Sequence, residues 1–194
     1  MKNLFLLFLF FLSIFSHAQS SYIVDKKGVK IFVRDDASEI LLIDKRVSYV
    51  LVGKTWPKYI TFDDLDYAYI NGTVLKSFKL NGSKKSQVYF VLSESKDKTL
   101  IARSITTMAS RPSGNMSVSN VSYAMYVIDK EQKIIEDVAF NIMYKKEEEQ
   151  AALISQLIRK HFSECKELID YLGRREADET LLKIFNNTKF INCK

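Results

Sequence analysis

Six glycines and two prolines among 194 residues exclude a collagen-like or low-complexity polymer, and a 47% hydrophobic content excludes a disordered chain. Histidine is nearly absent: His17 and His161 are the only two. A multi-histidine zinc site cannot be assembled from them and there is no His-Glu-x-x-His motif. A Ser-His-Asp triad would have to use His161, with no Gly-x-Ser-x-Gly elbow to present the serine. A phosphate cradle is missing too, because Gly82-Ser83-Lys84-Lys85-Ser86 lacks the earlier glycine at P-loop spacing and reads as a hairpin turn. The excess of 29 Lys and Arg over 23 Asp and Glu gives a formal charge of +6, but the basic residues are scattered among acids. Nucleic acid is therefore not an expected partner. No cofactor, metal site or catalytic residue is assigned.

What the chain does have begins at its leading end. Lys2 and Asn3 precede an apolar run from Leu4 to Phe15, interrupted only by Ser13, and Ser16-His17-Ala18 follow. This is the three-part layout of a secretory signal peptide, residues 1–18, with small side chains at Ser16 and Ala18 for cleavage before Gln19. About 12 apolar residues span roughly 18 Å as a helix, short of the ~30 Å hydrocarbon core, so a retained anchor is disfavoured. No cysteine lies near the cut, so a lipoprotein is not expected, and no second long apolar run follows. The expected location is the periplasm or the exterior of a bacterial cell, with an unknown protein or glycan of the envelope as partner.

Cys165 and Cys193 are the only cysteines. An even count in an exported chain favours a disulfide. Cys165 has no organised base nearby in the sequence that would make it a nucleophile.

From residue 20 to 144 the pattern is strand-like, with alternation such as Val29, Ile31, Val33 against Lys30, Phe32, Arg34. Strands are expected over 21–25, 29–34, 38–43, 47–52, 58–62, 66–70, 73–79, 87–93, 99–106, 121–128 and 133–143. Turn signals separate them, among them Asp35-Asp36, Asn71-Gly72 and Asn81-Gly82, the Asn-Gly pairs supplying the positive φ angles of tight hairpins. The continuously apolar Val88-Tyr89-Phe90-Val91-Leu92 reads as a central strand. The Ser- and Asn-rich stretch from Ala109 to Asn120, containing Arg111, reads as a mobile loop, either a binding lid or a long hairpin connection.

From Lys145 the period becomes helical, with Ala151, Ile154, Ile158 and Phe162 on one stripe. Glu147, Glu148 and Glu149 start the helix, and Arg159, Lys160 and His161 end it, each sign opposing the helix dipole; this alone accounts for His161 as a helix-end cation. Ser163 reads as the N-cap of a second helix closed by Gly173, and a third is expected from Asp178 through Phe185.

Candidate ligand-binding residues are Trp56, Tyr59, Tyr67, Tyr69 and Arg111. The aromatics could form a platform for sugars or a partner protein, or could be ordinary core and cross-strand pairs. Asp63, Asp64 and Asp66 are the only acidic cluster of the strand region. They could serve as paired carboxylates of a glycan hydrolase, or form a solvated turn. An EF-hand loop counted from Asp63 would need Gly and Glu where Ala68 and Val74 stand.

The order Phe162-x-x-Cys165-x-x-Leu168, a helical stretch, then Asn192-Cys193 resembles a group of uncharacterised secreted proteins of Bacteroidetes-type bacteria, in which Phe-x-x-Cys-x-x-Leu is paired with a terminal Asn-x-Cys. Here the asparagine directly abuts the cysteine. The resemblance implies export, a β-rich body and a cystine-tied helical tail, and it carries no activity. The expected fold is α+β: a mostly antiparallel, twisted sheet or partly open barrel over 19–144, with two or three helices over 145–194 packed on the same domain. The expected function is that of a non-catalytic exported binding or envelope-associated accessory factor. Mass spectrometry of the chain recovered from a secreting bacterial host should find Gln19 at its N-terminus; an intact Met1 on exported material would refute the assignment.

Overall fold

The computed structural model describes residues 21–41, 44–110, 117–141, 147–178, 181–185 and 189–193. The expected export segment and Arg111 lie outside them. The described chain is an α+β protein in which an 11-stranded sheet is followed by two α-helices. In chain order the strands are β1 (Tyr22–Asp25), β2 (Lys30–Leu41), β3 (Arg46–Leu51), β4 (Pro57–Thr61), β5 (Leu65–Ile70), β6 (Thr73–Phe78), β7 (Gln87–Glu94), β8 (Thr99–Ser110), β9 (Ser117–Ile128), β10 (Ile134–Asn141) and β11 (Ile191–Asn192). The helices are α1 (Glu147–Phe162) and α2 (Lys166–Ala177), followed by a short 3₁₀ turn at Leu181–Phe185.

Spatially the order is β10-β9-β8-β7-β6-β5-β1-β2-β3-β4, antiparallel throughout, and β11 lies parallel to the end of β7. Among the described residues β10 and β4 are not paired, so the sheet is open. β7, the strand expected to be central, is flanked by β6 and β8 and buries side chains on both faces.

Register sorts the side chains into two continuous rows. Ile23, Ala68, Leu75, Phe90, Ala102 and Met125 stand opposite one another from β1 through β5, β6, β7 and β8 to β9. On the other face the parallel row is Tyr22, Tyr69, Val74, Val91, Ile101 and Tyr126. Successive residues of a strand point to opposite faces, so each row commits a whole face.

The first row faces the main core. Over β7–β9, α1 and α2 cover it with Ile154, Leu157, Ile158, Phe162, Leu168 and Leu172. Over β1, β5 and β6 it is covered by the sheet itself. β2 changes register between Val33 and Ser38, and the β2–β3–β4 ribbon contributes Val33, Val47, Tyr49 and Ile60 to a cluster with Ile23, Leu65 and Leu75. Truncating a fully buried residue such as Leu157 to alanine should cost about 2–5 kcal/mol by transfer and cavity terms.

Asp35-Asp36 does not break β2 into two strands. No residue between Arg34 and Ser38 has a positive φ; the reversal comes instead at Lys45 (φ 50°). Asp36 pairs with Arg34 at 3.1 and 2.7 Å, so the acidic pair sits in an irregular stretch of strand. The hairpin at Asn71 (φ 50°) and Gly72 (φ 81°) forms as expected. The expected loop over 109–120 is strand at both ends: β8 runs to Ser110 and β9 starts at Ser117, with Ala109 opposite Val118. Its polar residues are compatible with strand because each arm satisfies the other's backbone groups.

Helix ends also differ from expectation. Cys165, not Ser163, is the N-cap of α2, and Gly173 lies inside that helix, which runs on to Asp178 as its C-cap. Nothing forces a stop at Gly173, since it does not adopt a left-handed φ. The third helical piece is only the 3₁₀ turn.

The Cys165–Cys193 disulfide joins the start of α2 to the segment after β11. The Cys193 amide donates to the Glu94 carbonyl at 2.8 Å, and its sulfur lies 2.8 Å from Ser93 Oγ. Loop-closure entropy assigns such a crosslink roughly 3–4 kcal/mol. Cys165→Ser/Cys193→Ser should therefore lower the free energy of urea unfolding by about that amount relative to the oxidised chain. An unchanged midpoint and slope would contradict it.

Candidate functional site

The second face of the sheet is covered over β7 and β8, where Leu80, Phe190 and Ile134 pack on Tyr89, Val91 and Ile101. Toward β5 and β1 that cover ends. There Tyr22, Tyr67, Tyr69, Val74, Lys76, Glu94 and Phe190 line an open groove of about 380 Å³.

Each lining residue arrives by a different piece of local logic. The Asn71-Gly72 turn sets Tyr69 opposite Val74 and Tyr67 opposite Lys76. β1 then pairs with β5, so Tyr22 stands beside Tyr69, their rings stacked at 5.7 Å and 23°. Tyr67 meets Tyr22 edge-on at 6.0 Å and 81°. Such pairs contribute about 0.5–1.5 kcal/mol each beyond burial and hold the rings in fixed orientation.

Glu94 reaches this face through a bulge. Val91 points into the second face, and simple alternation would send a residue three positions later to the opposite one. The register shift between Val91 and Ser93 turns Glu94 back toward the tyrosines. Its carboxylate lies 3.8 Å from the Lys76 ammonium. Phe190 comes from the C-terminal segment, which straddles the sheet edge: Phe190 packs on the second face while Ile191 enters the helix-covered core.

Charge in the groove is one net positive, two ammonium groups against one carboxylate. Burial, followed by the Tyr67 hydroxyl beside it, raises the Tyr22 phenol above its ordinary value of 10.0, so this group stays a neutral donor and acceptor near pH 7. Lys76 and Glu94 offset each other, and the Lys30 ammonium sits 3.6 Å from the centroid of the Tyr22 ring.

The chain matches no protein-family model, no curated protein and no solved structure.

Of the residues singled out in the sequence, Tyr67 and Tyr69 meet in this groove. Trp56 and Tyr59 do not line it: Trp56 lies between β3 and β4 and is 83% exposed, while Tyr59 on β4 has the Arg46 guanidinium 4.1 Å from its ring centroid. Tyr22, Lys76, Glu94 and Phe190 were not foreseen.

Asp63 and Asp64 form the turn between β4 and β5. Asp64 accepts a hydrogen bond from Thr61 Oγ1 at 2.6 Å, and its carbonyl accepts the Lys26 amide at 2.9 Å. Ser86, first, and then Lys79 and Lys26 hold the Asp63 carboxyl below the usual range, the opposite of what a proton-donating catalytic acid requires. Asp66 is half-buried on β5. Among the described residues no group of three or more His, Cys, Asp or Glu is placed to hold a metal ion.

His161 is tied to β10 by its place at the end of α1. Its Nε2 lies 2.7 Å from Glu136 Oε2, to which Lys160 also donates at 2.6 Å. Lys160 chiefly, and then His161, lower the Glu136 pKa below its ordinary 4.5. A depressed folded-state pKa contributes stability that is full above the unfolded value and is lost as pH falls through the folded one. The thermal midpoint of Glu136→Gln should therefore lie below that of the parent at pH 6, and the gap should close as both are acidified past the folded Glu136 pKa. Equal midpoints at pH 6 would refute this role for Glu136.

Proposed function

We propose that this chain is a non-catalytic exported protein, an envelope-associated accessory factor of the secreted group it resembles, and that the tyrosine groove binds an envelope glycan. The observation that carries the reading is the near-parallel Tyr22–Tyr69 pair beside the Lys76–Glu94 ion pair. Lys30 lies over one face of the Tyr22 ring, and the C–H face of a sugar ring would pack on the apolar surface that the Tyr22–Tyr69 pair leaves exposed beside it. The ammonium and carboxylate next to them supply donors and an acceptor for its hydroxyls. The groove is half open to solvent, which leaves room for a segment of a polymer.

Export rests on the leader and on the odds that a two-cysteine chain is oxidised in the compartment where it works. No helix among the described residues is long and apolar enough to cross a membrane.

Calorimetric or NMR titration of the oxidised chain with soluble peptidoglycan and lipopolysaccharide-core oligosaccharides tests the proposal. Tyr69→Ala should weaken binding at least about tenfold, roughly 1.4 kcal/mol, and Trp56→Ala should leave it unchanged. Absence of binding to both glycan classes, or equal affinity in Tyr69→Ala, would sink the glycan assignment.

A further inference from the structure

A second surface adjoins the groove at the end of the sheet where β1 turns into β2 and β3 turns into β4, with Phe32 opposite Tyr22 across β1 and β2. Because β2 runs antiparallel to both β1 and β3, the two turns sit side by side; the Val52 amide lies 3.5 Å from the Phe32 carbonyl. Four large apolar side chains are exposed here: Trp56 at 83%, Val52 at 63%, Val29 at 52% and Phe32 at 50%. Gly28 (φ 81°) and Gly53 (φ 74°) turn the two tips, and a Cβ built on either would meet nothing within 4 Å, so both tips project into open space.

Lysines surround them. Lys26 and Lys27 lie on the first turn, Lys54 on the second, Lys58 at the start of β4, and the Lys30 ammonium is 5.3 Å from the centroid of the Phe32 ring. Among the described residues none of these five forms an ion pair. The acids at this end are Asp25, Asp63, Asp64 and Asp66, the last beside Asp25 in the bulge where β5 pairs with β1. The Asp25 carboxylate is turned back onto the Lys27 and Val29 amides at 2.9 and 2.8 Å, and Asp64 onto Thr61. The five lysines thus outnumber the four acids, and the Asp25 and Asp64 carboxylates are engaged within the fold.

We propose that these two hairpin tips dock the protein on an anionic lipid surface, with Trp56, Val52, Val29 and Phe32 entering the headgroup boundary and the lysines meeting lipid phosphates. A protein partner would need a complementary shape, whereas a bilayer asks only for projecting apolar groups ringed by cations. Tryptophan is the side chain best suited to that boundary, being apolar in body with one N–H to keep wet. The lysine stems can lie along the apolar groups while their ammonium heads stay at the phosphate level. This docking does not depend on the glycan assignment.

Trp56 is the single tryptophan of the chain, so its emission reports on this surface alone. Vesicles of phosphatidylcholine with phosphatidylglycerol, added to the oxidised protein, should shift that emission to the blue. Brominated lipid should quench it, and pure phosphatidylcholine should give a much smaller response. In vesicle sedimentation, Lys27→Gln and Lys54→Gln should each lower the partition coefficient about fivefold. Trp56→Ala should lower it at least about tenfold, binding should weaken as salt is raised, and Lys96→Gln, on the β7–β8 turn at the opposite end of the sheet, should have no effect. Unchanged emission with anionic vesicles, or sedimentation insensitive to Trp56→Ala and the lysine variants, would overturn the proposal. So would the same blue shift produced by a soluble envelope extract free of lipid, which would make this a protein-docking surface.

Discussion

Cross-strand register is the constraint on which the rest of this molecule depends, because it fixes which face of the sheet must be kept dry. With Ile23, Ala68, Leu75, Phe90, Ala102 and Met125 aligned on one face, water has to be excluded there along the whole width from β1 to β9. The chain does this with two different covers. Over β7–β9 the cover is a pair of amphipathic helices; over β1, β5 and β6 it is the bent β2–β3–β4 ribbon. A slip of one residue anywhere along the row would expose this face and bury Tyr22, Tyr69 and their neighbours.

The same constraint gives the C-terminal segment its place. β11 adds to β7 on the edge that β6 vacates beyond Thr73, and alternation then sends Phe190 to the groove and Ile191 to the helix core. Three residues past Phe190, the disulfide fixes this strap to the start of α2. A crosslink that serves the helical layer on one face therefore also sets the wall of the groove on the other. Glu94 shares in this coupling, since its carbonyl receives the Cys193 amide while its carboxylate meets Lys76.

Elements governed by neighbours in sequence were legible: the strand periods, the Asn71-Gly72 hairpin, α1 with its glutamate start and basic end, and the cystine. Elements governed by distant partners were not. That β1 lies beside β5 is a non-sequential pairing, and no local pattern places Tyr22 against Tyr69. The hairpin alone could have revealed Lys76, because a two-residue turn at Asn71-Gly72 sets it opposite Tyr67. Glu94 was hidden for a different reason: strict alternation assigns it to the wrong face, and the bulge that corrects this leaves no signature in Leu92-Ser93. Asp35-Asp36 misled in the other direction, since acidic pairs favour turns but cannot make a tight one without a residue that accepts a positive φ.

Why tyrosine rather than phenylalanine should line the open part of the second face follows from its half-buried state. Where that face is covered, over β7 and β8, it carries Tyr89 beside Val91 and Ile101. Where cover ends, a phenol keeps its hydroxyl solvated and its ring packed, while the half-exposed Phe32 opposite Tyr22 has the Lys30 ammonium near its ring. The pKa of Tyr22 moves upward, so the hydroxyls add hydrogen-bonding capacity to the groove without adding charge. The Lys76–Glu94 pair behaves likewise, offering strong donors and acceptors whose fields largely offset at a distance. Charge at the hairpin tips is arranged differently, with five lysines that form no ion pair among the described residues around the most exposed apolar side chains. One end of β1 and β2 thus presents a field that acts over about a Debye length, ~8–10 Å at moderate salt, while the tyrosine face acts only on what touches it. Under the two proposals made above, surfaces of such different range would act in succession, the charged tips first and the tyrosine groove on what is then within reach.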